Sequence, residues 1–465
     1  MNSEERLRHL FRSAGPPPTV TDNDWSIFVH AAHRDRRRHR MTAMVAAAAV
    51  IAIAAGTFAV DRIGDQSLPP SGEVEPVILT DDVPQECPEA EPYEPASNLG
   101  AVAFVRDGDV YRADLQDGEM KLVETGNRYV EPDVQWSPDG RWISFGEGLV
   151  VRATGGAACE PLGEVSDAEW GAGDTLVGRR RARVFFGKPG GEAQEAHIDG
   201  RVTATPLVPD HGGRLVAFAA IDPDSRGRTQ IWVLDLALER ALLTHELPET
   251  DPFERPEIAG WSPDGQWIFY WETWQGSFPS ESGSLTAIRR TPSPARIKVG
   301  RALYKDDLTW CEDTLIVVAP DERLVKDGRR LVTAAAPDWT PLPVSNNVES
   351  VWSNPVCSPD GQSVAAATTP VYPKVSDRGR NISVHTVGRT HNENWGYSGD
   401  FETRNPVGWS SDGDRVMAEL QSLGGGISLT LLDYGDRRTA LQLNPVELGE
   451  EAEMLGTRAY DWYQP

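Results

Sequence analysis

Few residues of this 465-residue chain stand in a spacing that does chemistry. Ser262 lies within Gly260-Trp261-Ser262-Pro263-Asp264-Gly265, but a nucleophile elbow needs Gly-x-Ser-x-Gly, and the spacing here is wrong. Gly424-Gly425-Gly426 has no Lys after it, so it is no Walker loop for a nucleotide phosphate. Past residue 60 there are five His: His197, His211, His245, His385 and His391. None is spaced as a metal-binding pair on one element, and each reads as a single surface histidine. Asp222-Pro223-Asp224-Ser225 has carboxylates for Ca²⁺ but lacks the twelve-residue loop signature, and reads as a solvated turn. No catalytic residue, cofactor ligand or metal ligand is assigned, and no cofactor is expected. What the sequence does repeat is a turn.

Trp136-Ser137-Pro138-Asp139-Gly140-Arg141-Trp142-Ile143-Ser144-Phe145 returns as Trp261-Ser262-Pro263-Asp264-Gly265-Gln266-Trp267-Ile268-Phe269-Tyr270. Shorter versions are Cys357-Ser358-Pro359-Asp360-Gly361 and Trp409-Ser410-Ser411-Asp412-Gly413. Ser, Pro and Gly at these offsets fit a type I turn, with the Asp side chain stabilising it. The residues that follow alternate, so the unit is strand, tight turn, strand. Degenerate starts are Trp170-Gly171-Ala172-Gly173, Trp310-Cys311-Glu312-Asp313, and Val208-Pro209-Asp210-His211-Gly212-Gly213 with an apparent inserted residue. Third and fourth strands follow, as at 230–236 and 241–245, or 427–434 and 439–443.

Repeats of this kind predict an all-β fold, a β-propeller of four-stranded blades. Seven starts leave three strands over, at 101–105, 109–115 and 120–124. The C-terminal Arg458-Ala459-Tyr460-Asp461-Trp462-Tyr463 has an aromatic where the starts have Trp, and reads as their missing strand. Both chain ends then build an eighth blade, and closure hides the sheet edges. Seven blades with looser ends is the alternative.

Ahead of the repeats, residues 1–40 are polar and end in Arg34, Arg36, Arg37, Arg38 and Arg40. Met41 to Val60 is an uncharged stretch of 20 residues, nine of them Ala. At about 1.5 Å per residue it spans a hydrocarbon core of about 30 Å. The arginines before it put the N-terminus in the cytoplasm and the rest outside. The rival reading is a cleaved signal peptide, against which stand the long polar leader and the long apolar stretch. Residues 61–98 hold seven Pro, ten Asp/Glu and one Arg, a composition that reads as an extended stalk. Val77-Ile78-Leu79 is the one piece able to dock. The domains are thus a tail (1–40), one transmembrane helix (41–60), a stalk (61–98) and an extracytoplasmic propeller (99–465).

The charge is split along the chain, and its plain reading is solubility. Residues 1–60 carry a net +3 and the remainder −28, which argues against nucleic acid or anionic lipid as a partner of the propeller. With only 6 Lys against 39 Arg, the usage looks like that of a high-GC bacterial genome. The four Cys, at 87, 159, 311 and 357, all lie on the expected outer side, where disulfides persist. Four Cys allow three connectivities. Cys311 and Cys357 fall in or beside the first strands of consecutive blades, so they are paired here, leaving Cys87 of the stalk with Cys159. Unpaired buried thiols are the bland alternative.

The Trp-Ser-Pro-Asp-Gly units resemble the TolB-like, or WD-repeat-like, β-propeller family, over roughly residues 100–463. The resemblance implies a propeller that binds proteins or small ligands, with Asp139, Asp264, Asp360 and Asp412 in structural turns. TolB itself is soluble and periplasmic, whereas this chain looks tethered. Propellers of this motif also form the front half of prolyl-oligopeptidase-like enzymes, which carry a hydrolase domain after it. The tail is similar in layout to those of actinobacterial membrane-bound anti-sigma proteins, without the His and Cys cluster of their zinc type.

Three functions follow as expectations. The first is a non-catalytic binding or scaffold module for an envelope or protein ligand, tethered through residues 41–60. Its contacts would come from loops at one mouth of the ring, with Trp271 and Trp274 as exposed aromatics or, on the plainer view, blade core. The second is a hydrolase or lyase with its site in the central channel. The third is a transmembrane regulator signalling through the tail.

Overall fold

Each full repeat starts with a strand that ends at an aromatic or Cys and closes a five-residue loop. The Ser137 hydroxyl donates to Asp139 and accepts the N–H of Trp142, while Asp139 accepts the N–H of Arg141. The loops at Ser262, Ser358 and Ser410 repeat these three bonds. Gly140 has φ 69°, a conformation that suits Gly, and a Cβ there would stand 2.3 Å from the Tyr463 hydroxyl.

In this computed structural model the described residues are 77–78, 86–95 and most of 99–464. Residues 1–76, 79–85 and 96–98 lie outside them, as do several connections, chiefly 126–132, 222–228, 248–255, 273–282, 291–295, 321–328, 345–349, 371–380, 396–400, 434–445 and 449–459. The expected tail 1–40 and membrane helix 41–60 therefore fall outside the described residues. Among those described, no helix is long and apolar enough to cross a membrane.

Eight antiparallel sheets follow one another, and the chain is an eight-bladed, all-β propeller. Blade 1 pairs Tyr460–Tyr463 with Ala101–Arg106, Asp109–Asp114 and Gly118–Glu124. The closing register runs Ala101 to Tyr463 and Phe104 to Tyr460. The innermost strands of blades 2 to 8 are Val134–Trp136, Ser166–Trp170, Val208–Pro209, Glu257–Trp261, Leu308–Cys311, Ser350–Cys357 and Phe401–Trp409. Both chain ends thus build one blade, as the leftover strands imply. In blade 4 the register needs no insertion: Asp210 stands where the other turns have Ser, accepting the N–H of Leu215. Pro209, not Val208, therefore matches Trp136. The fourth strand of blade 8 is Val446–Leu448 rather than 439–443, which lie outside the described residues.

The core is not one body. Among the described residues it is eight apolar clusters, each between two neighbouring blades. A blade is therefore covered on both faces, and its middle strands are buried without alternation: Thr229–Asp235 is buried throughout. This corrects the reading of Trp271. The strand Trp267–Glu272 runs on through it, and its side chain is buried in the cluster between blades 5 and 6. Trp274 lies outside the described residues.

The expected stalk also changes. Val77–Ile78 forms a parallel pair with Val123 and Glu124 on the outer edge of blade 1, and residues 86–95 lie against blades 1 to 3. Burial of Cys87, Ala90 and Tyr93 offsets the cost of ordering that a free polar segment cannot meet.

Candidate functional site

The topology divides the connections between two faces. In a four-stranded antiparallel blade, the loops joining strands 1–2 and 3–4 share one end, and those joining 2–3 and 4–1 share the other. The Ser-Pro-Asp-Gly turns lie on the first face. Asp139, Asp264, Asp360 and Asp412 each hold a turn there by accepting from the repeat Ser and from the next backbone N–H. The Ser hydroxyl and that N–H keep the Asp360 and Asp412 carboxyls below the usual range.

The N-terminal segment occupies this same face over blades 1 to 3. Cys87 is bonded to Cys159 of blade 2, with Cα atoms 5.3 Å apart. The Tyr93 N–H donates to Gly140 O (3.0 Å), and its hydroxyl donates to Asp114 of blade 1 (2.9 Å). The Arg112 guanidinium sits 4.0 Å over the Tyr93 ring. Burial pushes the Arg112 pKa down. The second disulfide, Cys311–Cys357, joins the innermost strands of blades 6 and 7.

On the opposite face the connections differ in length. In blades 1 to 3, strands 2 and 3 are joined by the two or three residues between Arg106 and Asp109, Phe145 and Leu149, and Arg180 and Arg183. In blades 4 to 7 the gaps are Ile221 to Thr229, Glu272 to Gly283, Pro320 to Arg329 and Pro370 to Asn381. Beside the short hairpins of blades 2 and 3 lies a cleft of about 1060 Å³. One wall carries Glu147, Glu160 and Glu164 of blade 2 and its exit loop, and the other the hairpin Arg179-Arg180-Arg181-Ala182-Arg183 of blade 3. Arg179 is paired with Asp167 (2.6 Å) and Arg183 with Glu195 (3.0 Å). The Arg180 guanidinium lies 4.4 Å over Phe185 and donates across the cleft to Leu162 O. Arg181 is the exposed tip, at φ 58°. An acidic wall facing a basic one, with Phe185 between, suits a polar ligand or a protein loop with charges of both signs.

The central channel holds two smaller cavities. One, of about 380 Å³, is lined by Thr309, Asn354, Pro406, Trp462 and Gln464; the other, of about 340 Å³, by Asp133, Gln135, Trp136 and Glu169; Asp461 borders both. Their linings contain three carboxylates and no basic residue. Asp461 accepts the N–H of Trp136 at 2.7 Å. Burial raises its pKa and neighbouring Asp133 adds to the rise, against the pull of the Trp136 and Trp462 N–H groups. Among the described residues, no three His, Cys, Asp or Glu side chains are grouped to hold a metal ion.

The Arg hairpin and Asp461 were not singled out from the sequence. The run Arg179-Arg180-Arg181-Ala182-Arg183 is visible there, four Arg in five residues of an acidic chain, but its face is not.

No family model matches the chain, and no curated protein does. Solved structures do. Prolyl oligopeptidase B from Galerina marginata is 11% identical with a TM-score of 0.43, over 74% of this chain and 51% of that one. A putative TolB from Agrobacterium tumefaciens is 12% identical with a TM-score of 0.33, over 75% and 89%. An oligogalacturonate lyase from Vibrio parahaemolyticus is 10% identical with a TM-score of 0.41, over 69% and 94%. The chain spans about half the length of the prolyl peptidases it matches. At such identities the likeness is one of fold.

Proposed function

We propose that the chain is a binding module that takes an envelope or protein ligand on its open face, in the cleft between blades 2 and 3. We also propose that residues 41–60 hold it on the outer side of a membrane. The observation that carries the first reading is the division of the two faces. The N-terminal segment covers the turn face over blades 1 to 3, while the other face over blades 2 and 3 keeps an open cleft of about 1060 Å³ walled by opposite charges. Function sits on loops held by a rigid scaffold, and here the scaffold is a closed ring. The outer location is supported by the uncharged 20-mer after five arginines and by cysteines that are all paired.

The test is capture of envelope components by immobilised wild type and three variants. Arg181→Glu and Glu164→Lys alter the cleft; Glu192→Lys alters an exposed site in blade 3 on the turn face. A ligand retained by wild type and Glu192→Lys but lost by either cleft variant supports the reading. One retained equally by all four proteins places its contact elsewhere.

The channel carboxylates favour a second reading, hydrolysis or elimination in the channel with Asp461 as proton donor. Its test is turnover of peptide and polysaccharide substrates by wild type and Asp461→Asn. Activity that survives the substitution excludes that role.

A further inference from the structure

The seam of the ring lacks a tie that three other junctions carry. At three junctions the repeat Trp ties its blade to the one before. The Trp170 indole donates to Gln135 O (3.3 Å), Trp261 to Val208 O (2.8 Å) and Trp409 to Val356 O (3.1 Å). Each acceptor is the residue just before the end of the preceding innermost strand. Trp136 has the same place at the junction of blades 1 and 2, where the equivalent acceptor belongs to Trp462. Yet the Trp136 indole nitrogen has no hydrogen-bond partner among the described residues. Its ring stacks on Tyr463 (centroids 4.9 Å apart) and on Tyr93 (5.8 Å). Tyr463 ends the C-terminal strand, and Tyr93 belongs to the N-terminal segment.

That segment grips both sides of the junction. It reaches blade 1 through Asp114 and Arg112, and blade 2 through Gly140 and the Cys87–Cys159 bond. Blade 1 itself is closed without covalent help, by four residue pairs between Ala101–Phe104 and Tyr460–Tyr463. The other disulfide joins blades 6 and 7, far along the ring. The one covalent bond near the seam therefore holds the segment down, and the segment holds the seam. Cys159 is fully buried while Cys87 is half-buried, so an attacking thiolate meets the Cys87 sulfur first.

We propose that residues 86–95 are a redox-gated clasp on the ring seam. With the disulfide formed, Tyr93 is kept on Trp136 and the C-terminal strand is held in blade 1. A dithiol reductant supplies two electrons and two protons. It leaves Cys87 and Cys159 as thiols and becomes a disulfide itself. The clasp then lifts, Tyr93 leaves the stack, and the pairing of Tyr460–Tyr463 with Ala101–Phe104 loosens while the other blades stay closed. A small disulfide oxidant takes back the two electrons and two protons, becomes a pair of thiols, and restores it.

Hydrogen exchange of the propeller amides tests this in the full chain, with three samples: the oxidised protein, the Cys87→Ser/Cys159→Ser variant, and Tyr93→Ala with its disulfide intact. The expected result is exchange at least tenfold faster at 101–104 and 460–463 in both variants, with 267–271 of blade 5 unchanged. Oxidised protein treated with a dithiol and then reoxidised should show the same gain and its reversal. Unchanged exchange at 460–463 in Tyr93→Ala overturns the proposal. So does a gain spread evenly over all blades, which would mark general destabilisation. If the double Cys variant does not fold, Tyr93→Ala and the reduced protein decide between these outcomes.

Discussion

His385 sits on the strand Asn381–Thr386 with no exposed surface, edge-on to Trp352 at 4.4 Å. Neither ring nitrogen has a partner among the described residues, and burial pushes its pKa down to about 4. The imidazole is therefore neutral in the fold, while the unfolded chain takes up a proton below about 6.5. The unfolded state binds more protons between pH 6.5 and 4, so stability falls as pH falls through that window. The depressed pKa makes this loss up to about 3 kcal/mol. Denaturant titrations from pH 7 to 4 should show it, and His385→Phe should flatten the slope. An unchanged slope in the variant would assign the loss to other groups. The repeat Ser offers a second check at this scale. Ser262→Ala leaves the N–H of Trp267 without its acceptor and takes from Asp264 one of its two donors, the other being the N–H of Gln266. It should cost about 1–3 kcal/mol in chemical denaturation, with no change in ligand capture. These turns were fully legible in the sequence, because Ser, Pro, Asp and Gly each have a local reason to stand there. His385 was read as a surface residue, because burial between blades is not a local property.

Among the elements, strands were legible and their exposure was not. Alternation suits a sheet with one wet face, but a propeller blade is covered on both, which is why Trp271 was offered as a binding aromatic and is core. The fourth blade hid its register for a related reason. Pro209 replaces the aromatic and Asp210 replaces Ser, so the hydrogen bonds persist after the letters have gone. The indole ties between blades give a measurable contrast. Trp409→Phe and Trp136→Phe remove similar apolar volume, but only Trp409 donates to a neighbouring blade among the described contacts. Trp409→Phe should cost about 1 kcal/mol more than Trp136→Phe in denaturant midpoints. Equal losses would mean that the tie does not couple the blades.

At the scale of the molecule, the eight-bladed ring was legible because the leftover strands at 101–124 and the aromatic end at 460–463 completed each other. The two faces were not, because a face is set by strand order and by what lies across it. For the N-terminal segment, the Cys87–Cys159 bond and the docking of Val77-Ile78 were legible, but not the face it covers: Cys87 and Tyr93 fix it over blades 1 to 3 on the side of the repeat turns. Its place leaves the cleft between blades 2 and 3 open on the opposite face, where we propose the ligand binds. Site-specific photo-crosslinking in intact cells tests it most directly, with the crosslinking amino acid at position 181 in the cleft or at position 192 on the covered face. A discrete adduct from position 181 and none from position 192 is the expected result. An adduct from 192 alone, or the same adduct from both, would contradict it.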